Sequence, residues 1–253
     1  MDREINVKTL PVISYVIFCL LLISSIQNVS AGEMNLYLSP TEGGKLKPTN
    51  QTALVNYLSE NECKISFTNS KANAHLLLSL QSTIPGNYHP YLKIKTHANL
   101  PLNLSILVKS SRSVDHLDQL KGEPLAIIHP YSEIGFLSQY VELAAKGLSL
   151  EESPIFESGR YDGALALLLH GDVFAAAIPY PLAKKWKVKN KLNIIATSSS
   201  NEFPYLWIRS DIKELKQSTI KACSLAFVKM GTRNRRDKRF SVFPLWLEGF
   251  SAL

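Results

Sequence analysis

The sequence predicts an α/β fold of mixed, mostly parallel sheets carrying helices on both faces. Three observations carry that prediction. The stretch from Leu120 to Pro179 alternates short apolar runs with amphipathic segments, the pattern of strands joined by helical crossovers. The apolar runs within it, Pro124–His129 and Val173–Ile178, are continuous rather than alternating, as in strands buried on both faces. The segments between them place apolar residues at helical spacing and end in glycine: Leu137, Tyr140, Val141 and Ala144 before Gly147, then Asp162–His170 before Gly171.

The remaining elements follow in chain order. Met34–Leu38 reads as a first strand stopped by Pro40. Pro48 suits the first turn of a helix carrying Ala53, Leu54, Tyr57 and Leu58 on one face. Cys63–Phe67 is a second strand, and Ala72–Leu80 fits either a helix or a strand. Pro85–Pro90 reads as a loop, and Leu92–Thr96 and Leu104–Lys109 as strands. Ser113 is placed to cap a short helix through Leu120, Pro181–Lys187 to form a helical turn, and Leu192–Ala196 and Leu206–Arg209 to form strands. Asp211 is placed to cap a helix reaching Met230 with Leu215, Ile220, Cys223, Ala226 and Phe227 on its apolar face. The tail carries Phe243, Trp246 and Phe250 as anchors that pack back on the fold.

Residues 1–31 read as a signal peptide. Lys8 precedes the apolar run Pro11–Ile23, and Val29-Ser30-Ala31 is a small-residue cleavage signal. An uncleaved anchor is the alternative reading, since the uncharged stretch is long enough to span. The chain from Gly32 is then an exported protein, for which nucleic acid is not an expected partner despite a net charge of +7. The basic runs Lys184–Lys191 and Arg233–Arg239 read as solvated faces, with attraction to anions or a membrane surface as the alternative. Cys63 and Cys223 remain after cleavage. An oxidising compartment permits a disulfide between them, and two buried thiols remain the other possibility. No metal-ligand spacing, nucleophile elbow or Walker loop is present, so neither a cofactor nor an enzymatic activity is assigned.

From Leu104 to Met230 the motifs fall in a recognisable order. Ser105-Ile106-Leu107-Val108-Lys109 precedes Leu117-Asp118-Gln119-Leu120-Lys121-Gly122. A loop with Pro130, Ser132, Gly135 and Phe136 follows, then Ser158-Gly159 before a helix. Gly171-Asp172-Val173-Phe174-Ala175-Ala176-Ala177 and Trp207-Ile208-Arg209-Ser210-Asp211 complete the series. Together they resemble the periplasmic phosphate/phosphite/phosphonate solute-binding proteins of ABC transporters. The resemblance implies a two-lobed type II periplasmic-binding fold, with residues 32–103 plus 199–253 in one lobe and 104–198 in the other. It also implies a small-molecule ligand in the cleft, an ABC permease or a membrane sensor as partner, a periplasmic location and a monomer. An interaction module of the same fold, without a ligand, is the runner-up.

The candidate ligand residues are Ser132, Glu133, Gly135, Arg160, Tyr161 and Tyr37. The loop after the Pro124–His129 strand lies where open α/β sheets bind ligands, at a helix N-terminus. Family members hold an oxyanion there with hydroxyl side chains. Ser132 and Gly135 match that loop, whereas Glu133 and Ile134 replace donors with a carboxylate and an aliphatic side chain, and Arg160-Tyr161 stands where a Ser-His pair is usual. Phosphate recognition needs donors and positive potential, so this loop disfavours phosphate. Three readings stay open: a ligand presenting an amine to Glu133, a different anion held by Arg160, or a cleft that has lost its ligand.

Overall fold

Two mixed sheets divide the eleven strands found among the described residues. The computed structural model describes residues 32–253 except 43, 45, 81–83, 85, 134, 135, 137, 150–152, 200, 201 and 213–216. The expected leader, and the expectations resting on Ile134, Gly135, Leu137 and Leu215, lie outside the described residues.

Sheet one contains β1 (Met34–Tyr37), β2 (Ile65–Phe67), β3 (Leu76–Leu80), β4 (Tyr88–Lys95), β10 (Pro204–Arg209) and β11 (Gly249–Ser251), in the order β11-β4-β10-β3-β1-β2. Sheet two contains β5 (Leu104–Lys109), β6 (Leu125–Ile127), β7 (Ile155–Glu157), β8 (Ala175–Pro179) and β9 (Leu192–Thr197), in the order β7-β6-β8-β5-β9. The helices are α1 (Pro48–Glu60), α2 (Ser138–Ala145), α3 (Tyr161–His170), α4 (Tyr180–Asn190) and α5 (Gln217–Lys229). This is the two-lobed α/β architecture expected of the type II binding fold.

The strand pairing corrects one detail. The sheets are mixed but not mostly parallel. β1 pairs in parallel with β2 and β3, and β6 with β7 and β8, whereas the five remaining pairs are antiparallel. The cause is topological. β5 and β10, the first strands after each passage between the sheets, enter antiparallel to their neighbours, and β4, β9 and β11 pair only through antiparallel ladders.

Other local differences have equally plain reasons. β4 extends through Pro90, which the sequence places in a loop. The register of β4 against β10 shifts between Leu206 and Trp207, leaving Tyr91 as an extra residue, and β11 pairs only with Lys93–Lys95. A bulge beside a partly uncovered edge is where a strand tolerates proline. Ser113 adopts a left-handed conformation (φ 51°) and ends the 3₁₀ turn Ser110–Arg112 instead of starting a helix; the helical segment that follows is a 3₁₀ turn, Leu117–Leu120, capped by His116. Ala72–Leu80 resolves into a 3₁₀ turn and strand β3. The expected turn at Pro181 is the full helix α4.

One buried cluster runs through both sheets, joining Leu36, Leu76 and Leu206 of sheet one to Ala126, Ala176 and Ile178 of sheet two. The tail packs into it as expected, with Phe243, Trp246 and Phe250 all buried. Cys63 and Cys223 form a disulfide, which ties the end of α1 to α5 beside the hydrogen bond from the Tyr57 hydroxyl to the Ala226 carbonyl (3.1 Å).

The two passages between the sheets lie side by side. Asn103 Nδ2 donates to the Ser198 carbonyl (2.6 Å), Leu104 N to Ser198 Oγ (3.0 Å), and Ser198 N to the Leu104 carbonyl (2.9 Å). Leu102 N donates to the Glu202 carbonyl (3.0 Å). Gln139 of α2 bridges both passages: its amide donates to the Leu102 carbonyl, and its Oε1 accepts from Leu104 N and Ser198 Oγ. The helix that follows the candidate loop is therefore anchored at the junction.

Candidate functional site

Two loops at the carboxyl ends of parallel strands meet. One follows β1 and makes the 3₁₀ turn Pro40–Glu42; the other follows β6 and leads into α2. The second loop is folded on itself. Ser132 N donates to the His129 carbonyl (3.1 Å), Tyr131 N to His129 Nδ1 (3.1 Å), and Phe136 N to the Ser132 carbonyl (3.1 Å). That turn buries Ser132 completely.

Three contacts join this loop to elements of sheet one. Ser132 Oγ donates to Glu42 Oε2 at 3.1 Å. Thr41 Oγ1 donates to the Tyr131 carbonyl at 3.4 Å. Lys71 Nζ lies 3.6 Å from Glu133 Oε1, with both side chains partly exposed. The first of these is the unusual one, because Glu42 is only 3% exposed and buried carboxylates are rare without specific partners.

Tyr161, the first residue of α3, is fully buried and reaches the same place. Its hydroxyl adjoins Ser132 and the Trp246 indole, yet neither contact has the geometry of a formed hydrogen bond: the Tyr161 hydroxyl and Trp246 Nε1 are both buried without a partner. Burial above all, and then the Glu42 charge, push the Tyr161 hydroxyl well above its ordinary range. It therefore stays a protonated donor.

The predicted residues thus separate. Ser132 and Tyr161 come together. Glu133 stands at the rim and pairs with Lys71. Tyr37 ends β1 half-buried, in register with Leu77. Gly135 lies outside the described residues. Arg160 does not answer Glu133; its guanidinium folds onto Asp162, with Nε 2.9 Å from Oδ1. It borders a groove of about 690 Å³ shared with Lys185, Trp186, Arg233 and Phe240. Two of the cations there are already engaged. Lys185 pairs with Glu248 at 2.8 Å, and Arg233 donates to the carbonyls of Phe240, Phe243 and Pro244. Among the described residues no group of His, Cys, Asp and Glu is arranged to hold a metal ion.

Sequence reasoning missed Glu42 and Trp246. The signal for Glu42 was its place in the loop after the first strand; a lone acidic residue beside Gly43 and Gly44 reads as solvated. Trp246 carries an anchor's burial and gives no sign that its N–H lacks a partner.

A sequence profile of the family "ABC transporter, phosphonate, periplasmic substrate-binding protein" matches residues 47–253. No curated protein matches the chain. Similar folds occur in PhnD1 from Prochlorococcus marinus in complex with methylphosphonate (11% identity, TM-score 0.58, 87% of this chain and 92% of that one). XAC2383 from Xanthomonas citri bound to ATP is also similar (12%, 0.56, 87% and 91%). A third is the binding protein component of an ABC phosphonate transporter, PA3383, from Pseudomonas aeruginosa (12%, 0.56, 88% and 82%). At these identities the structures speak for the fold, and the profile, which spans most of the chain, for the family. The chain belongs to the phosphonate-type periplasmic substrate-binding proteins of ABC transporters.

Proposed function

We propose that the chain is an exported solute-binding protein that closes two lobes on a small polar solute and delivers it to an ABC permease. The solute is other than phosphate or a simple phosphonate. The lobes are 32–103 plus 199–253 and 104–198, hinged at the paired passages near Leu104 and Ser198. In support, sheet one draws on residues 34–95, 204–209 and 249–251, and sheet two on 104–197. The observation that carries the altered specificity is the pair of carboxylates at the loop, Glu42 on Ser132 and Glu133 beside it. A second anion about 4 Å from such a carboxylate is repelled by about 4 kcal/mol at an effective dielectric near 20.

The test is a thermal-shift screen of the protein against phosphate, phosphonates, amines and amino acids, since a ligand that binds only the native state raises its apparent stability. An amine-bearing solute is expected to raise the melting temperature and phosphate is not. Strong stabilisation by phosphate or methylphosphonate would defeat the altered-specificity reading. A second reading, a sensory or interaction module that needs no solute, draws on the three contacts that already join the candidate loop to sheet-one elements. It prevails if no solute stabilises the protein at millimolar concentration.

A further inference from the structure

We infer that Glu42 is the resident anion of the cleft: its carboxylate occupies a seat of buried donors that would otherwise hold the oxyanion of a solute. The inference rests on reading the meeting of the two loops as the solute site. Two features of the seat carry it.

The seat is rich in donors. Ser132 Oγ is fully buried and donates to Glu42 Oε2 at 3.1 Å. The Tyr161 hydroxyl adjoins Ser132 and Trp246, and both it and Trp246 Nε1 are buried with unused hydrogen-bonding capacity. Unpaired buried donors are costly, and two of them, from a helix and the tail, beside the Ser132 hydroxyl already donating to Glu42 make a setting suited to an acceptor-only group. A carboxylate is such a group, and so is the oxyanion of a small carboxylic or phosphonic acid.

The occupant arrives on a short, fixed tether. Glu42 ends a 3₁₀ turn directly after β1, and Gly44 lies against the tail, where a Cβ would come within 2.2 Å of the Val242 carbonyl oxygen. The tail therefore holds the tether from one side while Ser132 holds its carboxylate from the other. Glu42 joins the β1 loop to the β6 loop as a bound anion would, so it both excludes free oxyanions and favours closure.

The test is chemical rescue. Wild type, Glu42→Ala, Glu42→Gln and the double variant Glu42→Ala/Ser132→Ala are heated in matched concentrations of chloride, formate, acetate and methylphosphonate. Radii of gyration are measured by small-angle scattering in the same buffers. Wild type should be indifferent to the anion. Glu42→Ala should melt several degrees lower and expand in chloride, then recover saturably with formate or acetate. Glu42→Gln, which keeps the seat filled, and the double variant, which lacks its principal donor, should show no such recovery. Equal responses of wild type and Glu42→Ala overturn the inference, as does a Glu42→Ala variant that is no more folded in acetate than in chloride. Because the rescue uses small acids on a variant, it can fail while the wild-type screen still finds a solute, and it can succeed when that screen finds none.

Discussion

Gln139 and Leu102 are hydrogen-bonded across the junction of the two sheets, side-chain amide to carbonyl, at a site from which solvent is excluded. The same side chain accepts from Leu104 N and Ser198 Oγ, so one residue satisfies polar groups on both passages. Gln139→Leu should leave the Leu102 carbonyl without its donor and the Ser198 hydroxyl without its acceptor, and lower stability by about 2–3 kcal/mol. Urea unfolding would show the loss as a shift in midpoint at unchanged slope.

Glu142, one turn further along α2, caps the second passage. Its carboxylate accepts from Ser199 N and Ser199 Oγ at 2.8 Å and pairs with Lys146. The hydrogen bond from Lys146, ahead of those from Ser199, lowers its pKa from 4.5 to about 2. A carboxylate whose folded-state pKa is depressed contributes stability that is full above its unfolded value and is lost as pH falls through the folded one. The junction should therefore loosen between pH 4.5 and about 2. Hydrogen exchange around Ser198 and Ser199 should show that step in wild type, and Glu142→Gln should abolish it.

The Cys63–Cys223 bridge closes a loop of 160 residues. Constraining so long a loop restricts the unfolded chain strongly, and removal of such a bridge typically costs about 2–5 kcal/mol. Guanidinium unfolding of the Cys63→Ala/Cys223→Ala variant is expected to show that loss, and reduction of the wild type to reproduce it.

Gly44→Ala forces a methyl group against the Val242 carbonyl oxygen. Overpacking of this kind costs about 1–3 kcal/mol. Here the shift falls on the turn that carries Glu42, so the variant should also gain the anion dependence expected of Glu42→Ala. Melting in acetate against chloride would reveal it; a stability loss with no anion dependence would separate the turn from the seat.

How much of this was legible in the sequence follows from what each feature depends on. Strands β5, β6, β8 and β9 and helix α3 were readable because continuous apolar runs, a helical stripe and Gly171 in the left-handed conformation are local signals. β7 escaped because its three residues are all exposed, and it is a strand only by pairing with β6. Pro90 argued for a loop because the bulge that accommodates it belongs to the pairing with β10. At the site, Ser132 was found by its place after a buried strand. Its partner Glu42 lies ninety residues away in sequence, and no local pattern connects them. Arg160 was a candidate for holding an anion, and its partner in the structure is an aspartate two residues on.

The position of β10 bears on how the molecule is made. It lies between β3 and β4, which precede it by more than a hundred residues, so the middle of sheet one stays unfilled until synthesis has passed Arg209. Chains dominated by such distant pairings fold slowly. A nascent chain with this topology cannot complete its first sheet until most of its length has been made.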